Sequence, residues 1–558
     1  MKKVWWKESI VYQIYPRSFK DTDNDGIGDI RGIIQKLDYI RDLGVDVIWL
    51  CPVYRSPNDD NGYDISDYTD IMEEFGTLDD FDELLKEAHS RDLKIIMDLV
   101  VNHTSDEHPW FVASQKSKNS PYRNYYHWRK GRAGKAPNNW PSFFKGSAWE
   151  RGKNDSEYYL HLFSKKQPDL NWENSAVRKE VHRIMKFWLD KGIDGFRMDV
   201  ISLISKDIGF PDTDYEDFYD VIDHVYANGP RVHEFIREMY EEVLCHYDVM
   251  TVGEGPGITP DTANLYVGHS RKALNMIFHF GHLHLGSNKN GKYDVVPWDL
   301  REFKSVFNIW DEALAGEGWN SIFLGNHDFA RMVSRFGNDA RYRKESAKLL
   351  AILLLSMRGT VFLYQGDEIG MTNVAFPSIE DYNDIETISS YREAERAGRD
   401  MDEFLKIIHD RSRDNARTPM QWNHSENGGF SKTTPWLKCN PNYRHINVAE
   451  NEGDPDSILN FYRRMIRFRK NHSLLVYGGF QLLMEDDPDL FVYKRFDKNL
   501  EILVVLNFSN KKRELTLDAH GSRELICLLS NYDKPVSQQG NTFLLRPWEG
   551  NIYKVLNL

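Results

Sequence analysis

The feature that most constrains this chain is a recurring alternation, in which short β-rich runs are each followed by a segment with helical periodicity. Eight runs are candidate strands: 10–15, 45–50, 94–101, 194–200, 249–253, 274–280, 321–324 and 361–364. Amphipathic stripes lie between several of them. Phe81, Leu84, Leu85 and Ala88 form one, Val177, Val181, Ile184, Met185 and Trp188 a second, and Val232, Phe235, Ile236, Met239 and Val243 a third. Eight β-then-α units predict an α/β chain folded as a parallel (β/α)8 TIM barrel, with its working residues where the strands end.

A barrel does not use all 558 residues. The gap from residue 104 to 174 is too long for a structureless loop and is rich in aromatic residues, so it predicts a small domain inserted after strand three. Beyond residue 480 the pattern changes to alternating runs such as Phe491-Val492-Tyr493 separated by turn residues, which predicts a C-terminal antiparallel β-sandwich over 480–558. The barrel is then assigned to 1–103 and 175–479.

Composition narrows the functional classes. Lys plus Arg is 71 and Asp plus Glu is 85, so 71 − 85 gives a formal charge of −14 with no basic block, unsuited to nucleic acid or an anionic membrane. The longest apolar stretch, Leu349 to Leu355, is too short to span a bilayer, and no apolar stretch follows the basic first residues. The four cysteines are far apart, in neither disulfide-framework nor zinc spacing. The expectation is a soluble cytoplasmic protein, monomeric by default, without an organic cofactor. Aromatic residues make up 13% of the chain, a hint of a sugar-binding cleft.

Strand four places Arg197 and Asp199 two apart, on one side of a strand. A carboxylate beside a guanidinium stays ionised, as a nucleophile requires, although a structural ion pair has the same spacing. Strand five ends at Glu254 among small residues that leave room for a ligand, and strand seven leads to His327-Asp328. Each acid alone is equally compatible with a cap or a surface residue. Together they place three acids at the mouth of one barrel, and glycoside hydrolysis needs a carboxylate pair facing one bond. Strand three adds Asp98, read as structural, and His103, read as reaching the site. Gln365-Gly366-Asp367-Glu368 is read as ordering a loop.

Six segments together carry a resemblance: Asp98 to His103, Gly195 to Asp199, Gly253-Glu254, Asn326 to Asp328, Gln167 to Trp172 and Ser412 to Pro419. On these the chain resembles the α-amylase superfamily, glycoside hydrolase family 13, and within it the oligo-1,6-glucosidases. The resemblance implies that Asp199 is the nucleophile, Glu254 the general acid and base, and Asp328 the acid that holds the distorted sugar. A retaining pair of this kind stands roughly 5–5.5 Å apart, and its acid needs a raised pKa. It further implies that Asp60, Tyr63, His103, Phe144, Phe163, Gln167, Arg197, His327 and Arg413 line a pocket for the non-reducing glucose. Val200, directly after the nucleophile, accompanies α-1,6 linkages in the resembled family, whereas Thr there accompanies α-1,4; packing of the barrel is the plainer reading of the same residue.

The expected activity is therefore retaining exo-hydrolysis of isomaltose and short isomalto-oligosaccharides. The alternatives are a glucosyl-transferring relative such as a sucrose isomerase or trehalose synthase, an α-1,4-glucosidase, or a non-catalytic sugar-binding protein. Phe329, Ala330, His279, Gly281 and Gly255 depart from the family pattern on the leaving-group side. Separately, Asp21, Asp23, Asp25, Gly26, Ile27 and Asp29 reproduce the start of a calcium loop, with oxygen ligands at every second position and a Gly for the turn. No Glu stands at loop position twelve, so it is not an EF-hand. Because the resembled family binds calcium here, the loop is expected to hold a structural calcium, or magnesium, through Asp21, Asp23, Asp25, Ile27 and Asp29.

Overall fold

The computed structural model describes residues 3–153, 156–516, 523–534, 538–539 and 542–557. Eight parallel strands form one sheet: β1 Ile10–Ile14, β2 Val47–Leu50, β3 Lys94–Leu99, β4 Gly195–Met198, β5 Met250–Glu254, β6 Met276–Phe278, β7 Ser321–Ile322 and β8 Thr360–Tyr364. In space they run β6-β5-β4-β3-β2-β1-β8-β7. The seam between the two end strands is crossed by Ser321, whose hydroxyl donates to the Ile277 carbonyl at 2.6 Å. The strands are buried on both faces, as a parallel barrel wrapped in helices requires, so β2 is the continuous apolar run Val47-Ile48-Trp49-Leu50.

All eight expected strands are present, but β1, β3, β4, β6 and β7 end one or two residues earlier than their apolar runs suggest. Val200, expected on strand four, lies beyond it in a left-handed conformation at φ 35°. That conformation is disfavoured for a β-branched residue. Here it turns the chain sharply after Asp199 and brings the Val200 amide within 3.0 Å of Glu254 Oε2.

The three expected amphipathic helices are Leu78–His89, Ser175–Lys191 and Val232–Glu242. Between β3 and Ser175 the chain forms a helix, Pro109–Lys116, and a three-stranded antiparallel sheet of Trp128–Lys130, Glu157–Leu160 and Trp149–Arg151. Its aromatic residues divide between two cores: Phe111, Tyr126, Trp128 and Tyr159 join that of the barrel, whereas Trp140 and Trp149 belong to a separate cluster and pack edge-on against Phe210, which comes from the loop after β4. The abundance of rings thus reflects a second small core.

A further excursion follows β8, which the sequence reading left within the barrel. Residues 365–457 carry helices Ile385–Arg396 and Met401–Arg411 before the last barrel helix, Ile458–Asn471. The C-terminal part is a five-stranded antiparallel sheet facing a three-stranded one. Period-two alternation divides the Leu490–Phe496 strand, with Leu490 and Val492 in the sandwich core and Phe491 and Tyr493 against the barrel. Residues 517–522, 535–537, 540–541 and 558 of the expected C-terminal domain, and 154–155 of the inserted one, lie outside the described residues.

Candidate active site

Register sets up the centre. Asp98 on β3 pairs with Arg197 on β4, and both side chains are buried inside the barrel. The Arg197 guanidinium reaches Asp98 Oδ1 at 2.5 Å, Asp199 Oδ1 at 2.8 Å and Glu254 Oε2 at 2.7 Å. One cation therefore serves three carboxylates, while Trp49 and Tyr63 donate to the far oxygen of Asp98 at 2.9 and 3.2 Å. Asp98 is structural, as expected: it anchors the arginine that spans the two expected catalytic acids.

Burial pushes the Asp199 and Glu254 carboxyls up from their ordinary values, Arg197 pulls both down, and neighbouring anions raise them again. Two buried acids sharing one cation titrate as a pair. Asp328 differs. Burial opposes its ionisation too, but the cationic side chains around it hold its carboxyl below the usual range. Arg413 Nη1 stands at 3.3 Å and Arg417 Nη2 at 2.9 Å. These two guanidinia carry the effect, because burial keeps the adjacent His327 neutral down to about 3. His327 Nε2 is 3.1 Å from Asp328 Oδ2 yet off the line of a hydrogen bond. Gln13 donates to its Nδ1 at 2.8 Å, and Tyr63 stacks on its ring at 5.1 Å between centroids.

A single cavity is lined by Asp199, Glu254 and Asp328 together with Asp60, Tyr63, His103, Phe144, Phe163, Gln167, Val200 and Arg413. Arg197 and His327 support it from behind. Within its lining Arg413 Nη2 binds Asp60 Oδ1 at 2.9 Å, and Gln167 donates to Asp60 Oδ2 at 3.2 Å. The Arg413 guanidinium lies 5.0 Å from the Phe144 ring centroid.

Asp384 went unrecognised in the sequence, and Arg417, though inside the Ser412 to Pro419 segment, was given no role in the pocket. Asp384 is fully buried, takes Arg413 Nη2 at 2.6 Å and caps helix Ile385–Arg396. Its N-cap position is a sequence signal, but nothing local links it to a pocket formed by distant segments. Glu386, Lys292 and Phe143 line the same cavity and were also missed.

The departures separate in space. Phe329 lines the cavity and meets Phe280 edge-on. His279 instead stacks on Trp310 at 4.1 Å in the core, and a Cβ on Gly281 would meet Val306 at 2.9 Å. Gly255 does not leave room for a ligand: a Cβ there would lie 2.5 Å from Ile258, so its space is filled by protein.

In the acidic loop, one carboxylate oxygen each from Asp21, Asp23 and Asp29 lie within 4.8 Å of one another. Oxygens at that spacing fit a hard cation with bonds of roughly 2.3–2.6 Å. Asp25 is not in the group; it is exposed and accepts the Ile27 amide at 2.7 Å. The loop docks on the excursion after β8, with the Asp21 amide on the Phe430 carbonyl at 3.1 Å and the Trp436 amide on the Gly26 carbonyl at 2.9 Å.

The description "Alpha amylase, catalytic domain" matches residues 13–478, and "Maltogenic Amylase, C-terminal domain" matches residues 480–552. An oligo-1,6-glucosidase of Parageobacillus thermoglucosidasius is 56% identical over 561 residues, covering 100% of both chains. The crystal structure of isomaltulose synthase from Klebsiella sp. LX3 has a TM-score of 0.97 at 44% identity, again covering 100% of both chains. That of trehalose-6-phosphate hydrolase from Bacillus licheniformis has a TM-score of 0.95 at 46% identity over 100% of both. Barrel, acids and full-length likeness agree, and the chain belongs to the α-amylase family, glycoside hydrolase family 13.

Proposed function

We propose that the protein is a retaining, exo-acting α-glucosidase that hydrolyses the α-1,6 bonds of isomaltose and short isomalto-oligosaccharides from the non-reducing end. The observation that carries this reading is the 56% identity, over both full lengths, to an oligo-1,6-glucosidase. It is supported by a pocket lined by all three acids, and we take the Asp60–Arg413 ion pair to close the blind end of that pocket behind the sugar. In the proposed reaction Asp199 attacks the anomeric carbon while Glu254 gives its proton to the departing oxygen. Water then opens the glycosyl ester, losing a proton to Glu254 and restoring both groups. Asp328, kept ionised by two guanidinia, holds hydroxyls of the distorted sugar. Arg197 keeps a negative charge available to Asp199 without neutralising the pair.

Incubation with isomaltose, maltose, trehalose and sucrose, followed by NMR, tests the reading. Glucose should come chiefly from isomaltose, its α-anomer first. Isomaltulose from sucrose, or faster cleavage of maltose, would defeat it. Val200 presents methyl groups to the cavity and no hydroxyl to bond a sugar. Val200→Thr should therefore move the ratio of isomaltose to maltose kcat/KM by roughly tenfold toward maltose; an unchanged ratio would return Val200 to a packing role.

The acid pair sets the pH profile. The productive form carries one proton, so activity falls on the acid side as the pair takes a second and on the alkaline side as it loses the first. Since burial raises both carboxyls, the alkaline limb should lie above the ordinary carboxylate range. An alkaline kcat/KM limb at the free-glutamate value, about 4.3, would contradict the arrangement.

The acidic loop is proposed to hold a structural calcium or magnesium through Asp21, Asp23 and Asp29, supported by the convergence of their oxygens. The ion would strengthen docking of the first loop on residues 430–436. Binding at a thousandfold excess over Kd contributes about 4 kcal/mol, so chelation should lower Tm and added calcium restore it; a Tm indifferent to both would remove the ion. Four free cysteines support a reducing, cytoplasmic setting. Among the described residues, no helix is long and apolar enough to cross a membrane.

A further inference from the structure

Lys206 lies in the loop that follows Asp199 and Val200, and its side chain is fully buried. An ammonium removed from water is costly unless it is paired and hydrogen-bonded. Its Nζ donates to Asn102 Oδ1 at 2.6 Å and stands 2.6 Å from Asp169 Oδ2, whose side chain is equally buried. Asn102 directly precedes His103, and Asp169 closely follows Gln167 near the end of the inserted segment. Residues 103 and 169 are themselves bridged through their backbones. Lys206 does not line the cavity, but both of its partners are joined to residues that do.

The orientation of Asn102 follows from donor and acceptor chemistry. An ammonium only donates, so the Asn102 atom facing it is the carbonyl oxygen and the amide nitrogen points away. That nitrogen is 3.2 Å from His103 Nδ1 and 3.2 Å from Asp169 Oδ2, both acceptors. Accepting at Nδ1 leaves the proton of a neutral imidazole on Nε2, and burial keeps His103 neutral down to about 4. Nε2 lies 3.1 Å from the Tyr63 carbonyl, which needs the same proton, and 3.2 Å from the Gln167 amide nitrogen, whose own protons have acceptors in Asp60 Oδ2 and the Tyr63 carbonyl. The other Asp169 oxygen accepts the Leu162 amide at 2.9 Å, next to Phe163.

We propose that Lys206 is a positioning residue for the glucose pocket. By gripping Asn102 and Asp169 it holds His103 as an Nε2–H donor and fixes the Phe163–Gln167 wall, tying both to the loop that leaves the nucleophile. This rests on the reading that the cavity takes a terminal glucose.

The test compares Lys206→Met with the double variant Lys206→Met/Asp169→Asn. The single variant leaves Asp169 buried without a counter-charge and should lose Tm; the double removes both charges and should recover it. Isomaltose KM and the glucose inhibition constant should nevertheless rise roughly tenfold or more in the folded double variant, with kcat falling less. A merely structural role would restore all three with Tm, and a folded double variant with wild-type KM and glucose affinity overturns the proposal. If neither variant folds, Asn102→Ala, which keeps the Lys206–Asp169 pair, carries the same expectation and the same overturning result. Should the wild type release no glucose from isomaltose, the proposed function fails separately, and calorimetric titration of these proteins with glucose still decides the role of Lys206.

Discussion

Asp199→Asn is expected to lower kcat for isomaltose by roughly 10⁴-fold or more while leaving Tm equal to wild type or higher. The activity loss follows from chemistry: an amide oxygen is a far weaker nucleophile than a carboxylate and forms no glycosyl ester that water can open. The stability expectation follows from charge. Among the described residues Arg197 alone is within ion-pair distance of Asp98, Asp199 and Glu254, so that buried group holds more potential negative charge than positive. Asn keeps the shape and an oxygen for Arg197 Nη1 while removing one of those charges. Burial and the neighbouring anions that push the Glu254 carboxyl up would then act with one fewer neighbour, and its alkaline limb should move down. Residual turnover within tenfold of wild type would remove Asp199 from the nucleophile's role. A large fall in Tm would show that the charge is structural.

The same cluster shows what the sequence could reveal. Asp98, Arg197 and Glu254 lie on strands whose positions follow from periodicity, so their convergence could be read from spacing alone. Asp199 could be read because it is two residues from Arg197. Asp384 and Arg417 could not, because they reach the pocket from the excursion after β8, where no repeating pattern fixes the path of the chain. Arg413 was identified only through resemblance for the same reason. Apolar runs likewise misplace Val200: they signal burial, and the left-handed turn that aims its amide at Glu254 leaves no periodic trace. Small residues after Glu254 misled in the opposite sense, because a glycine can make room for protein as readily as for a ligand, and Ile258 fills the space beside Gly255.

Arg413→Ala should be the most damaging change outside the acid pair, because one guanidinium joins four carboxylates, those of Asp60, Asp328, Asp384 and, at 3.6 Å, Glu386. It reaches Asp60 after β2 at 2.9 Å, Asp328 after β7 at 3.3 Å and Asp384 after β8 at 2.6 Å, and it is buried. Removing one member of a buried ion pair costs about 3–5 kcal/mol, since the remaining charges are left unpaired. Arg417 softens this at Asp328, which it binds at 2.9 Å, but it is 3.9 Å from Asp384. Asp60 would retain only Gln167 as a side-chain donor among the described contacts. The variant should therefore lose Tm, and its KM for isomaltose should rise by roughly 10²-fold or more as the blind end of the pocket opens. The pH profile separates these effects. With Arg413 present the Asp328 carboxyl lies below its ordinary range; with it gone, burial is less opposed and the carboxyl rises. Since the proposed role needs the anion, the acid limb of kcat/KM should shift to higher pH. Arg413→Lys, a point charge without the planar fork, should recover part of the stability but not the grip on Asp60 and Asp384 together. An Arg413→Ala protein with wild-type KM and an unmoved acid limb would mean that the pocket's blind end does not hold the sugar.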